Sequence, residues 1–223
     1  ANASSSALLV DDAEEATMSA DGWYAWVTNP SSEATADYAF ATGFNNTASG
    51  EAALAGGAYS ESKAIDGLAF GQEAYVASSG SYSGICRAAL ALGYETYASG
   101  TTAFAANAGA VADYTWAIAL GFFTASGSEK SLATGIGTTC TAHDSLSGGY
   151  KSLVTDSYAG MAVGMSCRSK HYYSSAIGFG ADTTYMNQLA IGRLHVEHTH
   201  RHQLDLHTTR AVLAPVVAHL DAH

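Results

Sequence analysis

The chain repeats one short phrase roughly every 14 residues, from residue 26 to residue 192, and such a period is the signature of a repeat architecture. Each phrase ends in a glycine or an asparagine, which we call the anchor. Nine of the eleven steps between successive anchors have the same length, and the steps from Gly71 to Gly93 and from Gly149 to Gly164 are longer. In such an architecture each repeat adds one unit to a continuous core. The twelve anchors are Asn29, Gly43, Gly57, Gly71, Gly93, Asn107, Gly121, Gly135, Gly149, Gly164, Gly178 and Gly192.

Neighbouring positions in the repeat follow opposite size rules. The residue two before the anchor is alanine in ten of the twelve phrases, and the residue three before it is large and apolar in eleven. Adjacent positions with opposite preferences lie on opposite faces of a β-strand. Positions three and five after the anchor are small, as in Ser60 and Ser62. We therefore predict an all-β parallel β-roll, or solenoid, with two short strands and two turns per coil and a narrow interior. Because glycine and asparagine tolerate positive φ best, each anchor is predicted to form a tight left-handed turn.

The column of large apolar residues has no place inside so narrow a coil. It would form an outward stripe larger than a soluble monomer exposes, so another chain must cover it. Three chains around one axis are the economical arrangement for a rod, and we predict a homotrimer roughly 55–60 Å long from strand spacing. Only Ser175 interrupts the column. Its other members are Trp26, Phe40, Leu54, Leu68, Leu90, Phe104, Ile118, Leu132, Leu146, Met161 and Leu189.

The phrases AFATG, ALALG, AIALG, MAVG, SAIG and LAIG, with TASG and YASG between them, resemble the head repeats of trimeric autotransporter adhesins. The resemblance covers residues 25–192 and implies a left-handed, homotrimeric β-roll, which phage and viral fibres also use. The last repeat is followed by neither a heptad stalk nor a membrane-anchor segment. This pattern favours a virion fibre, either a phage tail fibre or a capsid-decorating fibre, that contacts a host surface glycan or protein. The alternative is the head domain of a bacterial trimeric autotransporter adhesin at the cell surface.

Composition argues against several other classes of protein. The net charge is −11 and no basic stripe exists to neutralise phosphates, which argues against nucleic-acid binding. No apolar run is long enough to span a membrane, so we predict no membrane insertion. The chain has no G-x-S-x-G, P-loop or H-E-x-x-H motif, and its carboxylates form no unusual pair of the kind that a polysaccharide-cleaving solenoid needs. We therefore predict that the protein is not an enzyme and has no catalytic residues.

The sequence divides into three regions. Residues 1–24 are acidic and aperiodic, and are predicted to cap the roll or to attach it to other virion proteins. Residues 25–192 are the repeat head, and residues 193–223 are predicted to form a histidine-rich C-terminal β segment. The odd number and irregular spacing of Cys86, Cys140 and Cys167 favour small buried thiols over disulfides or a zinc site.

Alternate residues near the C-terminus are histidines. His198, His200 and His202 face one side of a predicted strand, and a trimer would bring three copies of that side to one axis. Imidazole is a common metal ligand, and two rings from each of three chains suit an octahedral ion such as iron, nickel or cobalt. The H-x-H spacing also resembles the metal-binding motifs of phage fibre needles and tail spikes. We predict a metal site here, with His200 and His202 favoured; the alternative is a solvated histidine-rich tail.

Overall fold

The structure is a computed structural model, and it describes residues 19–29, 31–77, 87–156 and 158–192. Every regular element in these ranges is a β-strand, and all strand pairs are parallel. The strands alternate along the chain between two sheets, so each coil contributes one strand to each sheet. This confirms the predicted all-β parallel solenoid with two strands per coil. None of the described residues forms a helix that could span a membrane.

The two sheets differ in strand length. The long sheet has twelve strands, most of them five residues long, and the short sheet has eleven strands of two residues each. The long sheet consists of β2 (Trp26–Val27), β4 (Phe40–Phe44), β6 (Leu54–Ala58), β8 (Leu68–Gln72), β10 (Leu90–Tyr94), β12 (Phe104–Ala106), β14 (Ile118–Phe122), β16 (Leu132–Ile136), β18 (Leu146–Tyr150), β20 (Met161–Met165), β22 (Ser175–Phe179) and β23 (Leu189–Ile191). The short sheet consists of β1 (Ser19–Ala20), β3 (Glu33–Ala34), β5 (Thr47–Ala48), β7 (Glu61–Ser62), β9 (Tyr75–Val76), β11 (Tyr97–Ala98), β13 (Val111–Ala112), β15 (Ala125–Ser126), β17 (Thr139–Cys140), β19 (Leu153–Val154) and β21 (Arg168–Ser169).

Equivalent repeat positions stack directly on each other. In the regular part of the roll, Leu132 pairs with Leu146, its equivalent in the next coil. The two longer steps keep this register, because Leu68 pairs with Leu90 and Leu146 pairs with Met161. The columns of the repeat therefore run through the described part of the roll.

The interior of the roll is lined by small side chains, as predicted. Alanines two residues before the anchor, such as Ala41 and Ala119, are completely buried, and Ser147 fills the same position in β18. The largest fully buried side chains are valines, among them Val76 and Val154. Because the two sheets lie so close together, no leucine or aromatic side chain of the described residues is buried between them.

The anchor glycines do not form left-handed turns, and that prediction was wrong. Nine of the ten anchor glycines lie inside the strands of the long sheet with φ from +101° at Gly43 to +149° at Gly71, and Gly192 follows β23. A Cβ atom at Gly135 would lie 2.0 Å from the carbonyl oxygen of Gly149 in the next coil. Glycine is therefore required because the backbone of the neighbouring coil occupies the side-chain position.

The left-handed turns occur at two other positions of the repeat. All twelve residues five before the anchor have φ between 49° and 59°, as at Tyr38 and Tyr173. Ten of the eleven described residues two after an anchor, such as Tyr59 and Phe123 with φ of 56° and 51°, are also left-handed. Most of these residues are not glycine, so composition gave no signal for these turns.

A column of buried polar groups links consecutive coils. In five of the coils, the side chain three residues after an anchor donates a hydrogen bond to the carbonyl oxygen of the next anchor. Ser60 Oγ lies 3.0 Å from Gly71 O, and Cys167 Sγ lies 3.0 Å from Gly178 O. These bonds give the anchor carbonyls a partner inside the roll, where water is excluded. At the same position of two other coils, the buried hydroxyls of Thr96 and Thr138 have no hydrogen-bond partner.

Candidate functional site

The outer surface of the long sheet is the most distinctive surface among the described residues. Because strand residues alternate, the positions three before, one before and one after the anchor all point away from the interior. We call these three outward columns of β2, β4, β6, β8, β10, β12, β14, β16, β18, β20, β22 and β23 the apolar face. The first column confirms the predicted outward stripe, because its members are half-buried or exposed whereas their alanine neighbours are buried.

No charged residue occurs among the described positions of the apolar face. Its polar members are uncharged, such as Thr42, Gln72 and Ser175. Large side chains on this face are about half exposed, including Phe70 at 50%, Ile136 at 50% and Phe179 at 55%. From strand spacing and rise per residue, the face covers roughly 900 Å². This exceeds the apolar patch of a typical soluble monomer, about 300–600 Å².

The outer surface of the short sheet is different in character. It carries acidic and basic side chains, including ion pairs between Lys63 and Glu61 at 2.8 Å and between Lys170 and Asp182 at 3.1 Å. Tyr75 and Tyr97 stack on each other across neighbouring strands with ring centroids 5.2 Å apart. This side of each coil therefore suits contact with water, whereas the apolar face does not.

At the N-terminal end, the apolar face continues into an open depression. It has a volume of about 510 Å³ and is lined by Tyr24, Trp26, Tyr38, Ala39 and Phe40. The rings of Tyr24 and Tyr38 stack with centroids 5.5 Å apart. Because Trp26 and Phe40 belong to the apolar face, the depression is part of the same surface.

The predicted metal ligands His198, His200 and His202 lie outside the described residues, and so does Cys86. Within the described ranges, no three histidine, cysteine, aspartate or glutamate side chains come close enough to hold a metal ion. Cys140 and Cys167 are buried and unpaired, as predicted for small core thiols. Burial raises the pKa of the Cys140 thiol to about 11, so this thiol is protonated at neutral pH and is a poor nucleophile.

Sequence reasoning identified only one of the three columns that form the apolar face. The columns one before and one after the anchor mix threonine, glycine, alanine and large apolar residues, so they follow no size rule. Their common property is that no charged residue occurs at their described positions. That shared lack of charge was the signal that could have identified them.

Comparison with known proteins gives a fold-level likeness alone. No known protein family matches the chain, and no curated protein matches it. Among solved structures, it is similar to the collagen-binding domain of the Yersinia adhesin YadA, with 21% sequence identity and a TM-score of 0.36. The match covers 89% of this chain and 82% of that one. By its own strand pairing the chain belongs to the class of parallel β-solenoids.

Proposed function

We propose that this protein is the trimeric head of an attachment fibre, and that it acts by binding and not by catalysis. The observation that carries the proposal is the apolar face, which is free of charge at its described positions along twelve strands. Left in water, a face of this size would promote aggregation. Three copies that turn this face toward a common axis bury it and leave the polar short sheets outside.

The size of the apolar face supports a permanent assembly. A standard stable interface buries about 800 Å² on each partner, which is close to the area of the face. Its aromatic and aliphatic composition and lack of charge are typical of obligate interfaces. A closed, symmetric trimer also leaves no copy of the face uncovered, as an open chain of subunits would.

We propose a virion as the setting of the fibre, on a phage tail or capsid. Support comes from the sequence, in which the H-x-H spacing of His198, His200 and His202 resembles the metal-binding motifs of phage fibres. In this setting, residues 1–24 attach the fibre to other virion proteins and the roll contacts the host surface. The three histidines would hold an iron, nickel or cobalt ion on the three-fold axis.

The second candidate is the head domain of a bacterial trimeric autotransporter adhesin at the cell surface. The specific observation in its favour is the amino-acid sequence of the repeats, from AFATG at residues 39–43 to LAIG at 189–192. Both candidates need the same trimer and the same adhesive role. They differ in whether a virion or a bacterial cell carries the protein.

A charge placed in the centre of the apolar face tests the trimer. Leu90 lies in β10, between Leu68 and Phe104 of the neighbouring strands. Leu90→Asp should shift the mass measured by light scattering from trimer to monomer or aggregate, because an unpaired carboxylate cannot be buried. The matched control is Val111→Asp, since Val111 points outward from β13 in the short sheet, and this variant should remain trimeric. A monomeric wild-type protein, or a Leu90→Asp variant that stays trimeric and equally heat-stable, would refute the proposal.

The setting is tested by finding the particle that contains the protein. Mass spectrometry should detect the chain in purified phage particles at a fixed ratio to the capsid protein, and not in bacterial outer membranes. Detection in outer membranes alone would support the autotransporter alternative. A variant without residues 1–18, which keeps β1 (Ser19–Ala20), should form soluble trimers that no longer join the particle, and normal incorporation would exclude the deleted residues as the attachment site.

A further inference from the structure

A group of aromatic and acidic side chains lies at one turn of the roll, near its C-terminal end. We call it the tyrosine cluster: it consists of Glu129, His143, Asp144, Tyr158, Tyr172 and Tyr173, which stack over successive coils. These residues occupy the turn that leads from the short sheet to the long sheet, at the positions five and six before the anchor. The cluster therefore lies outside the three columns of the apolar face.

Contacts between neighbouring coils hold the cluster together. The rings of His143 and Tyr158 stack with centroids 6.3 Å apart, and those of Tyr158 and Tyr173 meet edge to face at 6.2 Å. His143 Nδ1 lies 3.8 Å from a carboxylate oxygen of Glu129. Interaction of the Tyr158 hydroxyl with the neighbouring Asp144 carboxylate raises the pKa of Tyr158. The aromatic rings are thus held in place with hydrogen-bonding groups directly beside them.

The rings of the cluster are exposed despite these contacts. Tyr158, Tyr172 and Tyr173 are 43%, 51% and 60% exposed. Tyr173 also has a left-handed backbone with φ of 55°, at a position that is filled by Ala159 and Asp144 in the preceding coils. A bulky side chain in this region costs free energy, of the order of 1 kcal/mol or more. Its own chain buries little of the ring, so the face of the ring is free to contact a partner.

The charge around the cluster indicates what kind of partner fits. Between residues 19 and 113 the chain has nine acidic and two basic residues, whereas between 114 and 192 it has four of each. The cluster lies in this second, electrically balanced half of the roll. A strongly charged ligand therefore gains no net attraction there. An uncharged ligand with apolar surfaces and many hydroxyl groups matches the rings, the imidazole and the carboxylates.

We propose that the tyrosine cluster is a carbohydrate-binding surface that takes an uncharged oligosaccharide. The tyrosine rings pack against the apolar faces of sugar rings, because a tyrosine offers a large flat surface with a polar end and loses little conformational entropy. Glu129, Asp144 and His143 accept or donate hydrogen bonds to the sugar hydroxyls. This inference rests on the proposed function and deepens it, since it names the ligand class through which the fibre binds its host.

Binding is tested on the full chain with a printed array of neutral and acidic oligosaccharides. The neutral oligosaccharide that binds most strongly is then titrated by calorimetry against wild-type protein and two variants. Tyr173→Ala should weaken binding about tenfold, because it removes one stacked ring. Trp116→Ala is the matched control: Trp116 occupies the same repeat position with φ of 56° and 51% exposure, four coils away. It should bind like the wild type.

The outcomes separate this inference from the proposed trimer. The carbohydrate site is supported if the protein binds a neutral glycan and if Tyr173→Ala weakens this binding while Trp116→Ala does not. This conclusion holds whatever mass light scattering reports for the wild type. Binding of acidic glycans alone, no glycan binding, or equal losses in both variants overturns it. A lower oligomer mass in Tyr173→Ala also overturns it, because the cluster would then be a subunit contact. None of these results alters the expectation for Leu90→Asp.

Discussion

The close approach of neighbouring coils predicts a large effect from adding a single methyl group. In Gly135→Ala, the new Cβ would lie 2.0 Å from the carbonyl oxygen of Gly149, and φ at this residue is +117°. Gly135 and Gly149 pair directly in β16 and β18, so the backbone of one strand must move by about 1 Å to relieve the contact. This movement strains the ladder and weakens a hydrogen bond. We expect a loss of about 3–5 kcal/mol in the free energy of unfolding.

Two nearby glycines separate the steric effect from the backbone effect. Gly137 has φ of +61°, and its added Cβ would meet only Lys151 Cγ, at 3.6 Å. Gly137→Ala should therefore cost only about 1 kcal/mol, the usual cost of a left-handed alanine. Gly127 has no such φ, and its nearest neighbour would be Thr141 Cγ2 at 3.4 Å. Gly127→Ala should be neutral or stabilise the protein by a few tenths of a kcal/mol, up to about 1 kcal/mol.

Thermal unfolding followed by far-ultraviolet circular dichroism, at one fixed protein concentration, measures all three variants. For a chain of this size, the expected loss corresponds to a fall in Tm of about 10 °C for Gly135→Ala and a few degrees for Gly137→Ala. If the two variants melt within about 2 °C of each other, the contact with the next coil does not explain the glycine column. The same conclusion follows if Gly135→Ala melts at the Tm of the wild type.

Three further predictions concern thiol reactivity, the pH dependence of stability and metal content. In a Cys86→Ser background, Cys140 should react with a thiol reagent at pH 8 only after denaturation, because burial raises its pKa to about 11. If the native protein is labelled at the rate of a free thiol, Cys140 is not buried. The same shift should make stability fall as pH rises above about 8.5–9, since the unfolded thiol ionises first. Elemental analysis of protein purified without a nickel column should find iron, nickel or cobalt bound by His198, His200 and His202, with release in acid as the imidazoles protonate. If the protein contains less than about one-tenth of an ion per trimer and its melting is unchanged after chelation, the three histidines do not form a metal site.

The repeat made the architecture predictable, because its size rules are direct consequences of stacking. Alanine at positions such as Ala119 is needed in nearly every coil, since the two sheets leave room for little else. Large residues such as Ile118 must then point outward on the adjacent position. Those two columns were enough to give strand period, coil length and the outward stripe. The buried state of Cys140 and Cys167 was predicted separately, from the odd number and irregular spacing of the cysteines.

Features that depend on contacts between coils could not be predicted from the columns. The glycine at most anchors indicated positive φ, but its cause is the carbonyl of the next coil, which a single repeat does not contain. The left-handed turns at residues such as Tyr38 and Lys130 carry no glycine and therefore no local signal. The tyrosine cluster is likewise invisible in sequence, because His143, Tyr158 and Tyr173 become neighbours only when coils stack.

The distribution of apolar side chains connects folding of the roll to its assembly. Among the described residues, the largest side chains that are fully buried within one chain are valines, so each coil gains little from burial in its own interior. The leucines, phenylalanines and isoleucines of the long sheet instead lie on the outer surface, as with Leu132 and Phe122. A single roll therefore depends on its backbone ladder and on the buried bonds to anchor carbonyls, such as that from Ser152 to Gly164. The large apolar side chains of the long sheet gain hydrophobic free energy when apolar faces meet, so the proposed trimer would stabilise the fold of each chain as well as join the chains.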